Sequence, residues 1–508
     1  MTWENLVKIG LIGTNRSKIS KEMFEELRSM GIEVEDPAHL ILKAAATMSM
    51  TRKAGRIPAE FTEDLPVPIE KIPSNICSKR AILYLNRIIK RNDLQILVEF
   101  ITTLKKYNKS LPPESLPLIL DKALKTPVLW KALKLDLGDR EKWLITQNPN
   151  WSTLIHAPTL TDWENGNTEA RTKFLKYKRS VDPSAALSLL EETWPQENIS
   201  TRKKLLKALD IGLSLTDDTF LSNCLKEKHK GLRKTAIHLL SQIPNSSFNK
   251  RMVFRLKKLI KLKKSGNQSS LEIKLPKGVD DTMILDGIKT SAQLYGSGNK
   301  ASQLAQMIKQ LPLSCWNDLL ETEVTKLLPL VIKNEYAHLL LSAIIDAAIY
   351  HKNEVYSKLI LQEWLSKPNE KLWQDFDPSA LIMIINQKAF NELSVSEFKR
   401  IKFLPAENSP LDFFLQQNKH GWNQDLSLTF FDRLKTWLKS SEATHWGDWH
   451  IRKVLAIAGL LVPSKLYPKI SREWPEHLPV WGGWERDISG SLMNLELRYK
   501  MEKSLMEN

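Results

Sequence analysis

The chain has 508 residues, of which 42% are hydrophobic and 26% charged, and a formal net charge of +16. This is the composition of a soluble folded protein, too long for one ordinary core unless it is built from units that bury themselves against their neighbours. Three scattered cysteines argue against a disulfide framework or a cysteine metal site, the N-terminus lacks the plan of a signal peptide, and no apolar run is long enough to span a bilayer, so a reducing cytoplasm is the expected location.

Helices are expected over 3–12, 21–30 and 37–54, the last bracketed by Pro37 at its start and Gly55 beyond its end. The proline-rich stretch 61–75 has no helical period and reads as an ordered surface loop. Helical patterning resumes at Ser78 and runs through Leu104, then over 113–124 and 128–135. Residues Gly138 to Trp151 read as a loop with interleaved Arg and Trp side chains. That loop is either held by those side chains or offers a surface to a partner.

From Asp182 the pattern repeats. Leu190 answers to Leu221, Trp194 to Leu225, Arg202-Lys203 to Arg233-Lys234, Leu206 to Ile237 and Leu209 to Leu240, each pair 31 positions apart. A fixed offset between successive helical hairpins is the mark of an α-solenoid. The repeat ends in an expected helix over 249–264. Met252, Val253, Leu256, Leu259 and Ile260 fall on one side of it, and a cationic ridge that includes Arg251, Arg255, Lys258 and Lys261 falls on the other. From Lys228 to Leu271 there is no Asp or Glu, against twelve Lys and Arg. Such a ridge is either a solvated charged face with no partner, or a surface that suits an acidic protein or a phosphate backbone. The predominance of lysine argues against base-specific reading.

Residues 265–281 are polar, with Gly, Ser and Pro, and form the expected linker, in which LEIKL could be a short extended piece. From 282 to 508 the pattern is helical but less regular. Trp422, Trp437, Trp446, Trp449, Trp474, Trp481 and Trp484 crowd its end and read as core, with single-strand base stacking as the alternative. Sustained period-two alternation is nearly absent, which argues against a sheet domain.

No catalytic constellation emerges. Gly296-Ser297-Gly298 followed by Ala301 lacks the strand that a dinucleotide fingerprint requires. His445 and His450 are five apart with no Glu between them, which is not zinc-protease spacing. Cys77 reads as a buried small hydrophobe rather than a nucleophile. The chain is therefore expected to be no enzyme and to carry neither metal nor cofactor.

The motifs Leu11-Ile12-Gly13-Thr14-Asn15-Arg16, Arg52-Lys53-Ala54-Gly55-Arg56 and Cys77-Ser78 carry a resemblance, as does the run from Gly138-Asp139-Arg140 through Trp143-Leu144 to Gln147-Asn148-Pro149-Asn150-Trp151. It continues through Trp163, Gly166, Arg171, Leu175, Asp182-Pro183, Gly212-Leu213-Ser214, Asp217-Asp218 and Pro244-Asn245-Ser246. In order and spacing these residues resemble a bacterial family of helical-repeat proteins, domain of unknown function 5691, over about 1–255; Glu141 departs from the family's small residue. The resemblance implies a scaffold or adaptor beside MoxR-type AAA+ ATPases, von Willebrand factor A proteins and SWIM zinc-finger proteins, with no catalytic residues to carry over.

The expectation is thus an all-α protein: a HEAT-like solenoid over 1–264, a linker over 265–281 and a further helical domain over 282–508. Its expected role is protein–protein interaction, with nucleic-acid binding through the basic face, and possible DNA-repair chemistry, as the alternative. The expected contact residues are Arg251, Arg255, Lys258 and Lys261, with Arg140, Trp143, Asn148 and Trp151 as a second surface.

Overall fold

The computed structural model describes residues 3–17, 19–32, 36–55, 67, 75–134, 137–155, 157–265, 268–322 and 324–507. Among them the chain is mostly helical, with one antiparallel pair of strands, Ile260–Ser265 and Gln268–Ile273. It divides into two compact units, Met1–Pro68 and Ile69–Asn508. Most of the stretch 61–75, expected as an ordered loop, lies outside the described residues.

In the first unit, helices Trp3–Ile12, Lys21–Ser29 and Pro37–Ala54 bury Leu6, Ile9, Leu27, Leu40, Ile41 and Ala44. The side chains of Ser20 and Asp36 accept the free amides of Met23 and His39, so the second and third helices start where the sequence supplies a cap.

Three hairpins recur at the heart of the second unit. Their first helices are Thr168–Val181, Ile199–Ala208 and Lys230–Gln242; their second helices are Pro183–Thr193, Asp218–Cys224 and Ser247–Leu259. The first helices are capped by the side chains of Asn167, Asn198 and His229, which stand 31 residues apart. The period therefore begins one helix, Thr168–Val181, before the helices whose offset is legible in the sequence pattern. Leu175, Leu206 and Ile237 are buried at equivalent positions, as are Leu190, Leu221 and Met252. Each first helix packs on the next, and Asp218–Cys224 packs on Ser247–Leu259.

A recurring polar device fixes the spacing. Arg171 stacks over Trp163 at 4.5 Å and pairs with Glu197. Thirty-one residues on, Arg202 stacks over Trp194 at 5.2 Å and pairs with Glu227. Between the first two hairpins Arg179 is fully buried. Its guanidinium donates to both oxygens of Asp217, at 2.8 and 3.0 Å, and to the carbonyls of Pro183, Leu209, Ile211 and Gly212. A buried charge is tolerable only when compensated this completely.

The ridge expected as one helix over 249–264 is two elements. The helix ends at Leu259 and the chain crosses into a strand. Continued helix would stack Lys261 on Lys257 and Lys258 at spacings of four and three, where like charges repel. The strand instead sets Lys261 opposite Glu272, and it pairs Ile260 with Ile273 and Leu262 with Leu271. The extended piece anticipated around LEIKL is the second strand, so most of the expected linker is ordered; Asn334 donates to the Leu271 carbonyl at 2.8 Å and ties the hairpin to the body.

The last helix, Trp481–Met506, returns to the first helices of this unit. It packs on Lys79–Arg91 and Leu94–Lys106, and Leu497, Met501 and Leu505 join the core of Leu85, Ile88, Phe100 and Ile119. Arg498 donates to Glu99 at 2.6 and 2.9 Å and to the carbonyls of Gly459 and Val462. Gly459 is required here, since a Cβ on it would lie 2.4 Å from the Ser491 carbonyl oxygen.

Two outcomes are expected. Arg179→Ala strands the buried carboxylate of Asp217 and lowers the unfolding free energy by about 3–5 kcal/mol, read as a shift of the urea midpoint. Arg179→Lys does not restore it, because one ammonium cannot reach the acceptors that the guanidinium spans. His351 reports on pH. Its ring lies 2.9 Å from the Gln242 amide nitrogen and 3.2 Å from the Lys309 carbonyl, an arrangement that suits a neutral ring donating to the carbonyl. Burial pushes its pKa down from 6.5 to about 4, with the neighbouring His238 adding to the effect. His238 is lowered too, by burial first; Asp210 opposes that shift and Lys352 assists it. The unfolded chain therefore takes the proton first, and the stabilisation present above about pH 6.5 is lost as pH falls towards about 4. Between about pH 7 and pH 5 the loss should be about 1–2 kcal/mol, and His351→Gln should flatten the dependence.

Candidate functional site

Helix Ser247–Leu259 starts at Ser246, whose hydroxyl accepts the Asn249 amide, and it buries Phe248, Asn249, Met252 and Leu256. What remains outward is cationic, but its charges fall into two groups. Arg251 and Arg255 converge on Asp286, whose side chain is only 1% exposed. The Arg251 guanidinium meets it at 2.6 and 3.0 Å, and Arg255 at 2.6 Å with a second bond to Thr282. The carboxylate raises the Arg251 pKa further above its ordinary value. These two expected contact residues thus clamp the helix to the turn of helix Asp281–Leu285.

Lys258 and Lys261 are exposed, as the ridge requires, on two different elements. The Lys258 ammonium sits 3.9 Å from the ring centroid of Phe254, itself 63% exposed. On the hairpin Lys263 meets Glu272 at 3.5 Å. Lys250, Lys257, Lys258, Lys261 and Lys264 are all exposed, and among the described residues none of them has a carboxylate at ion-pair distance. The result is a set of exposed lysines on the helix and the strand that follows it, with Lys258 over one outward phenyl ring. Phe254 and Asp286 were both missed from the sequence. Phe254 lies off the apolar stripe, and Asp286 is merely the third acid of a short acidic run.

The second expected surface is folded inward. Residues 138–152 are helical rather than a loop, with helices Asp139–Gln147 and Pro149–Ser152. Asp139 and Glu141 in the first turn favour the helix start. Arg140 donates to the Leu111 carbonyl at 2.6 Å and to Glu141 at 3.2 Å. Asn148 caps the short helix through the Asn150 amide, and the buried Trp151 indole donates to Asp121 at 2.8 Å. Trp143 is half-buried. Arg140 and Trp151 thus bind parts of the chain to one another, and Asn148 fixes the turn between the two helices.

The tryptophans divide as well. Trp422, Trp437, Trp474 and Trp484 are core, as expected, and Trp481 is half-buried. Trp446 and Trp449 are 73% and 63% exposed instead of buried. They do not share a helix face, because Trp446 lies in a turn that ends at Gly447 and Asp448, both at positive φ, before helix Trp449–Leu461 begins. Arg452 stacks over Trp484 at 4.0 Å and donates to the carbonyls of Gly447 and Gly483, which holds the turn in place.

Burial pushes the thiol of Cys77 up to about 11 and that of Cys224 up to about 12, opposite to the activation a nucleophile needs. Among the described residues no helix is long and apolar enough to cross a membrane.

A family model described as a family of unknown function, DUF5691, matches residues 5–505, and the chain belongs to that family. The match runs beyond the first half, on which the sequence resemblance rested. No curated protein and no solved structure matches the chain.

Asp286→Ala should leave two guanidiniums without their shared carboxylate. With Arg251 partly hydrated, the expected loss is about 2–3 kcal/mol, measured as a lower urea midpoint; a midpoint equal to that of the parent would mean that Asp286 does not clamp the helix.

Proposed function

We propose that this member of the family is a non-catalytic helical-repeat scaffold, HEAT-like through residues 167–259, that docks an acidic protein partner on the flank formed by helix Ser247–Leu259 and the hairpin that follows it. The observation that carries this reading is the set of five exposed lysines that have no carboxylate partner among the described residues, with the Lys258 ammonium over the exposed ring of Phe254. Cationic side chains and an aromatic anchor give a partner both steering and a desolvated contact. The Asp286 clamp supports it by holding the helix rigid, so little ordering accompanies binding. The resemblance noted from the sequence supplies the candidate partner class, a MoxR-type AAA+ ATPase or a von Willebrand factor A protein of the same cytoplasm.

The test is affinity purification from the native host, followed by titration of the purified partner against the parent chain and against Lys257→Glu/Lys258→Glu/Lys261→Glu. Reversal of three charges should weaken binding about tenfold or more, mostly through slower association, with a shallower salt dependence. Phe254→Ala should weaken it through faster dissociation. A partner bound equally well by the parent and both variants would remove the flank from its role.

A further inference from the structure

A second cationic surface lies on the first helices of the three hairpins, away from the residues just considered. Because the hairpins repeat every 31 residues, side chains at that offset occupy equivalent places on successive helices. Lys173 and Lys204 are equivalent in this sense, as are Lys176 and Lys207, and Lys203 and Lys234. All six are exposed. Only Lys173 has a carboxylate partner among the described residues, Glu169 at 3.3 Å, itself exposed. Helices Thr168–Val181, Ile199–Ala208 and Lys230–Gln242 pack in succession, so the lysines form rungs about 8–10 Å apart, the usual spacing of packed helices.

The geometry points to a nucleic-acid phosphodiester backbone as the ligand of this face, bound without reading the bases. Three features favour it over an acidic protein. Each lysine pair recurs at the 31-residue offset on the adjacent helix, so cationic side chains stand on three helices that pack in succession, an arrangement that suits a polymer of repeated phosphates. The arginines of the second and third rungs are engaged inward. Arg202 is held by Glu227 and the carbonyls of Trp194 and Pro195, and Arg233 by the carbonyls of Glu227 and Lys228. This leaves lysines, which contact phosphate as point charges and lack the fork that reads guanine. Finally, the second and third rungs carry no outward aromatic residue or arginine of the kind that anchors a protein interface, in contrast to the Phe254 flank. Duplex DNA carries one negative charge per about 1.7 Å of axis, enough to place several phosphates at each rung.

The test titrates the full-length chain with fluorescent duplex DNA of two unrelated sequences, from about 50 mM to about 200 mM salt. Both duplexes should bind equally, with affinity falling steeply with salt. Lys204→Glu/Lys207→Glu/Lys234→Glu should weaken binding about tenfold or more and reduce the slope of log affinity against log salt by about 2–3, near 0.9 for each lost phosphate contact. Lys257→Glu/Lys258→Glu/Lys264→Glu, on the other flank, should stay within about twofold of the parent at any one salt. Thermal melts of each variant guard against misfolding, and the corresponding Gln triple at 204, 207 and 234 should give a smaller loss of the same sign. Absence of binding at the lowest salt overturns the proposal. So does a rung variant that binds like the parent, a flank variant that loses as much, or competition by poly-glutamate as effective as that by unlabelled duplex.

Discussion

The second unit depends on one long-range contact. Arg498, near the end of the chain, reaches Glu99 through two bonds and closes off two carbonyls of the helix beside it. Around that contact, Leu497, Met501 and Leu505 complete a core that otherwise belongs to residues 77–133. The early helices are therefore not stabilised by their sequence neighbours alone. Each helix pair in a purely sequential stack needs only the next; here the first pairs need the last helix, and the entropy of ordering the chain between them must be offset before that contact forms. Such non-local closure slows folding relative to nearest-neighbour stacking.

Arginine and lysine have separate places in this protein. Arg179, Arg251, Arg255, Arg452 and Arg498 each hold a carboxylate together with carbonyls, a hydroxyl or an aromatic face, and they join one element to another. The fixed fork of guanidinium suits it to such joints. The lysines of the 250–264 segment, and Lys173, Lys176, Lys203, Lys204, Lys207 and Lys234 of the three first helices, stay in water. The net charge of +16 is consequently expressed at the surface mainly by flexible ammonium groups, which favour encounter with anionic partners over fixed geometry.

Much of the architecture was legible in the sequence because it is local. Pro37 and Gly55 bracket a helix, and the 31-residue offset survives as caps at Asn167, Asn198 and His229. What escaped was set by partners distant in the chain. Residues 260–264 have the composition of a helix, and only the opposing Glu272, Leu271 and Ile273 make them a strand. Arg251 and Arg255 read as free ridge because the carboxylate that binds them lies 31 or more residues away. Trp446 and Trp449 read as core with the other tryptophans, but two residues with positive φ separate Trp446 from the helix that Trp449 begins, and both rings are exposed. Of the lysine rungs, the Lys203–Lys234 pair was legible in the repeat, whereas Lys173–Lys204 and Lys176–Lys207 escaped because their first members lie on the helix Thr168–Val181, before the stretch in which the repeat was read.

The capped, self-similar hairpins and the returning last helix place opposite demands on change in chain length. Each first helix between Asn167 and Gln242 carries its own start signal and packs on the next, so a duplicated copy would find ready neighbours. A stack with a loose end could grow in that way. Here an added copy would carry Arg498 out of reach of Glu99, so the number of repeats is held constant by a joint that lies outside them.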